Sequence, residues 1–509
     1  MSAGTTRSST RPSATASPRS PALPNLENGM LQSYGNRMRA QQPPAFLAAY
    51  PGYRDTAVLD ELRASEYSYL DAGGHNYLDY TGAGLPARAQ ISAHAARMSE
   101  GCFGNPHSES PASAASTELI ERARLAVLAH FNAPPDEYAV IFTQNASGAG
   151  RLVGEAYPFD PRSRLVLTAD NHNSVNGIRE FARARGAVTE YVPFSSPELR
   201  VDDDAVCAAL GRPGSRAATR QIRRGLFAFP AQSNFSGVQH QLNWIDIAHG
   251  RGYDVLLDAA AYVPTNHLDL SRVHPDFVSV SWYKMFGYPT GVGCLIARRA
   301  ALARLQRPWF AGGTVSAVSV LGDWHVCADG EARFEDGTPS FLHVPDVQFG
   351  LAWVDGIGLD LIHQRVQCLT GWLLSRLGAM RHSGGQPMAR IYGPADTRAR
   401  GGTVAFSLLD PLGQTLDART VAAQTAAAGI SIRTGCFCNP GAAEGAFGLT
   451  KGDAATLRPA ARTADAYQKA MGLYGGGAIR VSVGLASTII DVQRFLALLE
   501  VTYCDRESS

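Results

Sequence analysis

One stretch near the middle of the chain decides the fold: Phe277-Val278-Ser279-Val280-Ser281-Trp282-Tyr283-Lys284-Met285-Phe286-Gly287-Tyr288-Pro289-Thr290-Gly291-Val292-Gly293. Residues 277–282 are typical of a buried strand, and the stretch then runs into a loop rich in glycine and proline. Lys284 stands at the junction. An ammonium there is costly unless it is paired or loses its proton. The stretch therefore fits either a lysine kept for chemistry or one whose charged end reaches water.

The composition is that of a large globular protein and excludes several classes of partner. The chain has 509 residues, 45% hydrophobic and 18% charged, enough for one large enzyme or for two or three domains. The net charge is +1, which argues against nucleic acid or an anionic membrane surface as a partner. No apolar run approaches the roughly 20 residues that span a bilayer, and no apolar signal core follows Met1.

Cysteine usage indicates the compartment. Eight cysteines in so long a chain do not make a disulfide framework, and only Cys436 and Cys438 are close in sequence. We therefore expect a reducing compartment and a cytoplasmic protein. Residues 1–44 differ from the rest, since they are rich in Ser, Thr, Pro and Arg and have no acidic residue before Glu27. That composition predicts a disordered tail, rather than a transit peptide whose helix the prolines would break.

Strands and helices alternate through the middle of the chain. Strands are predicted at 138–143, 164–168, 225–230, 253–258 and 277–282, and helices at 118–131, 151–156, 178–185, 244–249 and, near the end, 492–501. This alternation predicts an α/β fold with a mostly parallel sheet, in which ligands bind outside the carboxyl ends of the strands. Five polar residues fall at or just past those ends: Ser147, His172, Asn234, Asp258 and Lys284.

These residue types match the needs of one cofactor, pyridoxal phosphate (PLP). A desolvated lysine forms a Schiff base with it, a carboxylate such as Asp258 keeps its pyridine nitrogen protonated, and an imidazole such as His172 can stack on its ring and move protons. The small-residue loop 144–150, followed by a helix start, can bind its phosphate. Each feature also has an ordinary reading, as a helix cap, a loop hydrogen bond or a plain α/β connection.

Seven motifs taken together resemble those of the class V aminotransferase superfamily. They are Gly104-Asn105-Pro106-His107-Ser108, Asn171-His172, Phe229-Pro230-Ala231-Gln232-Ser233-Asn234-Phe235-Ser236-Gly237, Asp258-Ala259-Ala260, Ser281-Trp282-Tyr283-Lys284, Arg333-Phe334-Glu335-Asp336-Gly337-Thr338-Pro339 and Arg433-Thr434-Gly435-Cys436-Phe437-Cys438-Asn439-Pro440. Within the superfamily the chain is similar to the cysteine desulfurases. It most resembles the PLP-binding desulfurase domain of molybdenum cofactor sulfurases, over about residues 46–500.

The resemblance implies PLP fold-type I, which is aspartate aminotransferase-like, with a seven-stranded, mainly parallel sheet and a smaller α+β domain. The large domain would span 45–339, and the C-terminal domain, with the catalytic cysteine loop, 340–509. The implied site residues are Lys284 carrying the cofactor, Asp258 at the pyridine nitrogen, His172 stacked as proton shuttle, Asn234 at the hydroxyl, Ala146, Ser147 and Ser281 at the phosphate, and Arg480 on the substrate carboxylate. Thr338 would reach the neighbouring subunit's cofactor, so a homodimer is implied.

The chain departs from the common desulfurase pattern at two positions. Ala261 stands where many members have Gln, and Tyr283 stands where many have His. These exchanges leave the cofactor hydroxyl and phosphate with fewer assigned donors.

Cys438 matches the family's persulfide cysteine and points to the reaction. A cysteine that attacks the substrate sulfur must be accessible, mobile and partly ionised. Cys438 directly precedes residues 439–477, a Gly- and Ala-rich stretch that is typical of a long loop or lid. Cys436 fits an auxiliary thiol. A Cys-x-Cys pair can also be half a metal site, but no second Cys/His pair has suitable spacing, so we expect no metal. The remaining alternative is an inert packed cysteine.

The expected function is a PLP-dependent cysteine desulfurase that converts L-cysteine to L-alanine with a persulfide on Cys438. Familiar molybdenum cofactor sulfurases carry a further domain that binds that cofactor, whereas this sequence ends soon after its predicted last helix. The sulfur would therefore pass to a separate acceptor protein, or to a small molecule in a biosynthetic pathway. Two alternatives remain: a C–S β-lyase that does not use Cys438, and a degenerate, non-catalytic partner in sulfur transfer.

Overall fold

The strands in the described part of the chain belong to five sheets. A computed structural model describes residues 43–211, 225–450, 452–453, 463 and 476–507. Its strands are β1 Asn76–Tyr77, β2 Tyr138–Thr143, β3 Arg164–Thr168, β4 Val188–Val192, β5 Phe194–Ser195, β6 Arg200–Val201, β7 Gly225–Pro230, β8 Tyr253–Asp258, β9 Phe277–Ser281, β10 Gly293–Arg298, β11 Val315–Ser319, β12 Trp324–Cys327, β13 Ala389–Tyr392, β14 Thr403–Leu408, β15 Ile430–Ser431, β16 Arg433–Gly435 and β17 Ala478–Ser482.

The helices lie between these strands and at both ends of the described chain. They are α1 Pro44–Ala49, α2 Val58–Glu66, α3 Tyr69–Ala72, α4 Arg88–Glu100, α5 Pro111–His130, α6 Ala146–Ala156, α7 Asn173–Asn176, α8 Ile178–Ala184, α9 Asp203–Leu210, α10 Trp244–His249, α11 Trp282–Phe286, α12 Arg299–Leu302, α13 Val344–Ile357, α14 Leu359–Ala379, α15 Ala418–Ala427, α16 Pro440–Ala446 and α17 Ile489–Tyr503, with 3₁₀ turns at Pro51–Thr56 and Gly330–Phe334. No described helix is long and apolar enough to cross a membrane.

The central sheet has seven strands in the order β2-β10-β9-β8-β7-β3-β4. β10 runs antiparallel to both of its neighbours, and every other pair in the sheet is parallel. The predicted α/β fold with a seven-stranded, mainly parallel sheet is thus confirmed. Because the parallel strands share one direction, their carboxyl ends lie at the same edge of the sheet. The last residues of β3, β7, β8 and β9 at this edge are Thr168, Pro230, Asp258 and Ser281.

Side-chain alternation explains why the sheet is covered on both faces. In β2, Val140 and Phe142 belong to one buried apolar cluster, and Ala139 and Ile141 belong to another. Successive side chains point to opposite faces of a strand, so a strand that is apolar at every position needs a core on each side. The near-continuous apolar runs of the sequence reflect this double burial.

A second sheet supplies the other wall of the site. It has the order β13-β14-β17-β16, with all pairs antiparallel, and Arg433 of β16 lies directly opposite Arg480 of β17. The described residues from Pro43 onward pack as one unit. The predicted division at residues 339 and 340 stays a prediction.

Strands β2, β3, β7 and β8 and helix α10 agree with the sequence prediction, and other boundaries differ. Helix α6 begins at Ala146 rather than at residue 151, because Asn145 caps it by accepting the Gly148 N–H at 3.0 Å. Strand β9 ends at Ser281, and Lys284 lies in α11. Helices α5 and α17 extend beyond the predicted ranges. Of the predicted tail, residues 1–42 lie outside the described chain.

Candidate active site

A cavity at the carboxyl edge of the central sheet brings together most of the predicted site. Its empty volume is about 980 Å³, part of it open to solvent. The predicted residues that line it are Ala146, Ser147, His172, Asn234, Asp258, Ser281, Lys284, Cys438 and Arg480. Thr338 is not among the lining residues: it is exposed and accepts a hydrogen bond from Asn105 Nδ2 at 3.1 Å. Its contact with a second subunit stays a prediction.

Lys284 has the environment of a reactive amine. Burial lowers its pKa below the ordinary value of 10.5, Asp258 opposes this shift, and Arg480 adds to it. Its amine makes no hydrogen bond or ion pair with any side chain in the described part of the chain. A desolvated, unpaired amine that faces a cavity is a better nucleophile, because a lowered pKa favours its uncharged form. Of the two alternatives predicted for Lys284, a lysine kept for chemistry fits this burial better than a lysine whose charged end reaches bulk water.

Asp258 is held by one of its two oxygens. Its Oδ1 accepts the backbone N–H of Ala260 and the hydroxyl of Ser279, each at 3.1 Å. No partner is found for Oδ2 among the described residues, and Asp258 lines the cavity. The carboxylate is thus fixed in orientation and keeps one oxygen for a cationic N–H.

His172 precedes the short helix α7 and is held as one tautomer. Its Nδ1 accepts the backbone N–H of Ser174 at 3.1 Å, so the neutral ring carries its proton on Nε2. Burial lowers the His172 pKa below 6.5, and the positive charge of Lys284 lowers it further, while Asp258 acts the other way. A neutral imidazole that lines the cavity can stack on a flat ring and move a proton.

An anion site lies at the start of α6. The Ser281 hydroxyl accepts the Ala146 N–H at 3.0 Å, and the Ser147 and Ser174 hydroxyls are 2.5 Å apart. A Cβ on Gly293 would come within 2.6 Å of Asn145 Cα, so β10 passes against the helix cap only because this residue is glycine. Hydroxyls around the positive end of an 11-residue helix make a site for a phosphate group.

The two departures from the desulfurase pattern both line this cavity. Ala261 offers no polar group from its side chain. Tyr283 offers a hydroxyl, which lies within hydrogen-bonding reach of Ser281. Burial raises the pKa of this hydroxyl above its ordinary value of 10. The tyrosine thus places a hydroxyl beside a predicted phosphate contact.

Cys438 lies on a turn that is tied down at several points. The backbone carbonyl of Cys438 accepts the Asn173 N–H at 2.7 Å, and the carbonyl of Phe437 accepts Nδ2 of Asn234 at 2.7 Å. Asn439 donates to the Asp170 carbonyl at 2.6 Å. The predicted loop at 439–477 is wrong at its start, because Asn439 caps helix α16 through the Ala442 N–H. Residues 451, 454–462 and 464–475 lie outside the described chain.

The turn also has an unusual backbone conformation. Phe437 and Cys438 both have φ near 55°, in the left-handed region that side chains disfavour. Each such residue costs about 1 kcal/mol or more, so the surrounding hydrogen bonds must hold the turn. The Cys438 thiol is therefore exposed on a turn that these hydrogen bonds hold. No group of three potential ligands that would hold a metal ion occurs among the described residues.

Two arginines, Arg433 and Arg480, also line the cavity. Arg480 is 2% exposed and donates to Asp79 Oδ1 at 2.8 Å and to the Asn234 carbonyl at 3.0 Å. Arg433 has a half-exposed side chain and donates to Asp79 Oδ2 from Nε at 2.9 Å and from Nη2 at 2.7 Å. One carboxylate therefore orients two guanidinium groups toward the cavity.

Several of these residues are not predicted from the sequence. Asp79 is one of them, because no local signal pairs it with arginines more than 350 positions away. Arg433 lies in one of the seven motifs, but the resemblance gives it no role. Asn439 bonds Asn234 and the Asp170 carbonyl, and the Ser174 N–H bonds His172. These contacts depend on the folded chain and have no signal in the sequence.

The donors of this cavity fit PLP. The unpaired Lys284 amine, the open Oδ2 of Asp258 and the anion site at α6 match its aldehyde, pyridine nitrogen and phosphate in chemical type. Such a lysine and carboxylate, at the edge of a seven-stranded sheet with one antiparallel strand, define fold-type I of the PLP-dependent enzymes.

Comparison with known proteins agrees with this class. The family model described as Aminotransferase class-V matches residues 76–495, so the chain belongs to that family. Molybdenum cofactor sulfurases from Solanum lycopersicum and Homo sapiens are each 34% identical, over 480 and 484 residues. The matches cover 89% and 90% of this chain but only 58% and 53% of those relatives. The chain thus spans little more than half the length of these curated relatives.

Solved structures share the fold at low sequence identity. An apo cysteine desulfurase from Thermococcus onnurineus NA1 aligns with a TM-score of 0.70 and 22% identity, covering 87% of this chain and 97% of that one. The cystine C–S lyase C-DES, in complex with cysteine persulfide, aligns at 0.59 and 18%, covering 84% and 97%. Both reactions considered from the sequence therefore occur on this fold.

Proposed function

We propose that this enzyme is a PLP-dependent cysteine desulfurase that moves the sulfur of L-cysteine onto Cys438 and releases L-alanine. The observation that carries the proposal is the placement of Lys284 and Cys438 on two separate elements that face one cavity. They are close enough that a thiolate at Cys438 raises the Lys284 pKa. A base and a thiol nucleophile in one cavity are what desulfuration needs.

Bound PLP supplies an electron sink that makes the Cα proton of an amino acid acidic. Lys284 Nζ, whose uncharged form is favoured because burial lowers its pKa, accepts that proton. The Cys438 thiolate attacks the substrate sulfur: an S–S bond forms, the Cβ–S bond breaks, and its electron pair ends as a new C–H bond of alanine. The protons balance because Lys284 returns the Cα proton to Cα, and the proton that the Cys438 thiol releases on ionisation ends on Cβ.

Positioning falls to the other residues of the cavity. Asp258 would hold the pyridine nitrogen, Asn234 would approach the cofactor hydroxyl, and the start of α6 with Ser147 and Ser281 would hold the phosphate. Arg480 would bind the substrate carboxylate, for which a planar guanidinium is suited. The neutral His172 ring would stack on the cofactor and relay protons from Nε2.

The sulfur acceptor is proposed from the relatives. Several similar curated proteins are named molybdenum cofactor sulfurases, so we propose delivery of sulfur for molybdenum cofactor sulfuration, or for another biosynthetic pathway. A separate protein or a small molecule would accept the sulfur. A homodimer, in which Thr338 completes the neighbouring site, and a cytoplasmic location remain predictions.

A C–S β-lyase is the second candidate, since a C–S lyase shares the fold. Such an enzyme would need Lys284 but not Cys438. The experiment that separates the two is to give purified, PLP-loaded protein L-cysteine with a reductant and to identify the products. Alanine and sulfide in equal amounts support the desulfurase, whereas pyruvate and ammonia support the lyase.

A further inference from the structure

The arginine wall of the cavity carries an inference about the substrate. Arg433 and Arg480 lie opposite each other on β16 and β17. Side chains of directly paired residues leave the same face of a sheet, so two positive charges meet at one place. Asp79 is bonded to both of them and is 7% exposed.

Asp79 is held by the backbone around it, not only by the arginines. Leu78 accepts the Ser482 N–H at 2.8 Å, and the Thr81 N–H bonds the Ser482 hydroxyl at 2.8 Å, so the residues on both sides of Asp79 are fixed to β17. A Cβ at Gly82 would come within 2.4 Å of Asp79 Oδ2 and 2.6 Å of Arg433 Nη2. The carboxylate is therefore packed in place between the two guanidinium groups.

The donors left over show what the wall can still bind. Arg480 Nε has no partner but is fully buried, whereas the half-exposed Arg433 lines the cavity and makes no hydrogen bond from Nη1 in the described chain. With Asp79 paired, the two arginines together keep one net positive charge. One carboxylate of a bound substrate neutralises that charge. A second acidic group on the substrate would face Asp79 without a counterion.

We propose that Asp79 is a specificity-determining residue that restricts the arginine pair to substrates with a single carboxylate and no second anionic group. This inference rests on the proposed function, since it names the class of amino acid that the site takes. L-cysteine belongs to that class. An arginine pair without Asp79 would suit diacids, because it would carry two positive charges.

The test measures ligand binding without turnover. PLP-loaded protein is used so that the phosphate site is already filled. Its Tm is measured at increasing concentrations of propionate or succinate, at constant ionic strength. The dissociation constant of each acid follows from the shift in Tm. For the wild type we expect the two constants to lie within about threefold. For Asp79→Asn we expect the preference for succinate over propionate to rise on the order of tenfold, since the dianion gains twice the Coulomb energy.

Two further variants make the result specific. Asp79→Glu keeps the charge and should keep the wild-type preference. Asp60→Asn removes a carboxylate from another buried arginine, Arg365, at 2.7 Å and away from the cavity, and should leave both constants unchanged. Wild-type protein that binds succinate far more tightly than propionate, or an Asp79→Asn ratio equal to that of the wild type, overturns the proposal. Product analysis with L-cysteine tests the proposed function separately, so either idea can fail alone.

Discussion

Asn439 donates from Nδ2 to Oδ1 of Asn234 at 3.0 Å, and this bond joins the cysteine turn to the residue predicted at the cofactor hydroxyl. Asn234 in turn donates to the Phe437 carbonyl at 2.7 Å. The two amides thus enclose the backbone on either side of Cys438. Because Phe437 and Cys438 have positive φ, the turn relaxes if this support is removed.

Changing Asn234 to Asp should loosen the turn and slow sulfur transfer. The new carboxylate would repel the Phe437 carbonyl that the amide now binds. We expect faster hydrogen exchange across residues 433–447, and alanine formation reduced by about 100-fold, the effect of a misplaced reacting group. Asn266→Asp is a matched control, since Asn266 is also 8% exposed and donates to a carbonyl, that of Tyr262. Unchanged exchange in Asn234→Asp would contradict the role of this amide.

Cys438→Ser should abolish alanine formation but keep the cofactor. A hydroxyl cannot accept the sulfur as a persulfide, so the rate of alanine production should fall by about three orders of magnitude. Cofactor absorbance should match that of the wild type, because no cofactor-binding residue changes. Cys436→Ser is the control: Cys436 packs against the buried apolar cluster that contains Phe235 and Phe437, and the variant should retain most activity. Full turnover by Cys438→Ser would favour the lyase.

Lys284→Ala should lose covalent cofactor. After treatment of PLP-loaded wild type with borohydride, the peptide that contains Lys284 should carry the added mass of the reduced cofactor. The variant should carry none and should release PLP on gel filtration, although Asp258 and the α6 anion site remain. An unmodified wild-type peptide, or an adduct on another lysine, would contradict the assignment.

The sequence predicted the sheet better than it predicted the contacts of the site. Strands β2 and β8 are mostly apolar and end at the polar residues Thr143 and Asp258, so their limits and the position of Asp258 follow from local patterns. The pairing of Asp79 with Arg480 joins residues 401 positions apart and depends on how β1, β16 and β17 come together. The sequence predicts the start of α6 five residues too late, because Ala, Ser and Gly occur in loops as well as in helices. The Asn145 cap makes residues 146–150 helical. Positive φ at Cys438 likewise depends on contacts from Asn173 and Asn234, which are distant in sequence.

The pH dependence of stability should reveal the neutral state of His172. Its folded pKa lies below 6.5, so as pH falls through 6.5 the unfolded chain binds a proton that the native state does not. The free energy of unfolding of cofactor-free protein should therefore decrease between pH 7 and 5, by at most about 1.4 kcal/mol per pH unit for this group. His172→Gln should make the decrease shallower, as should His130→Gln, where burial also lowers a histidine pKa. Denaturant titrations across this range measure the slope. If the slope is unchanged in His172→Gln but reduced in His130→Gln, then His172 titrates normally and its role as a neutral proton carrier fails.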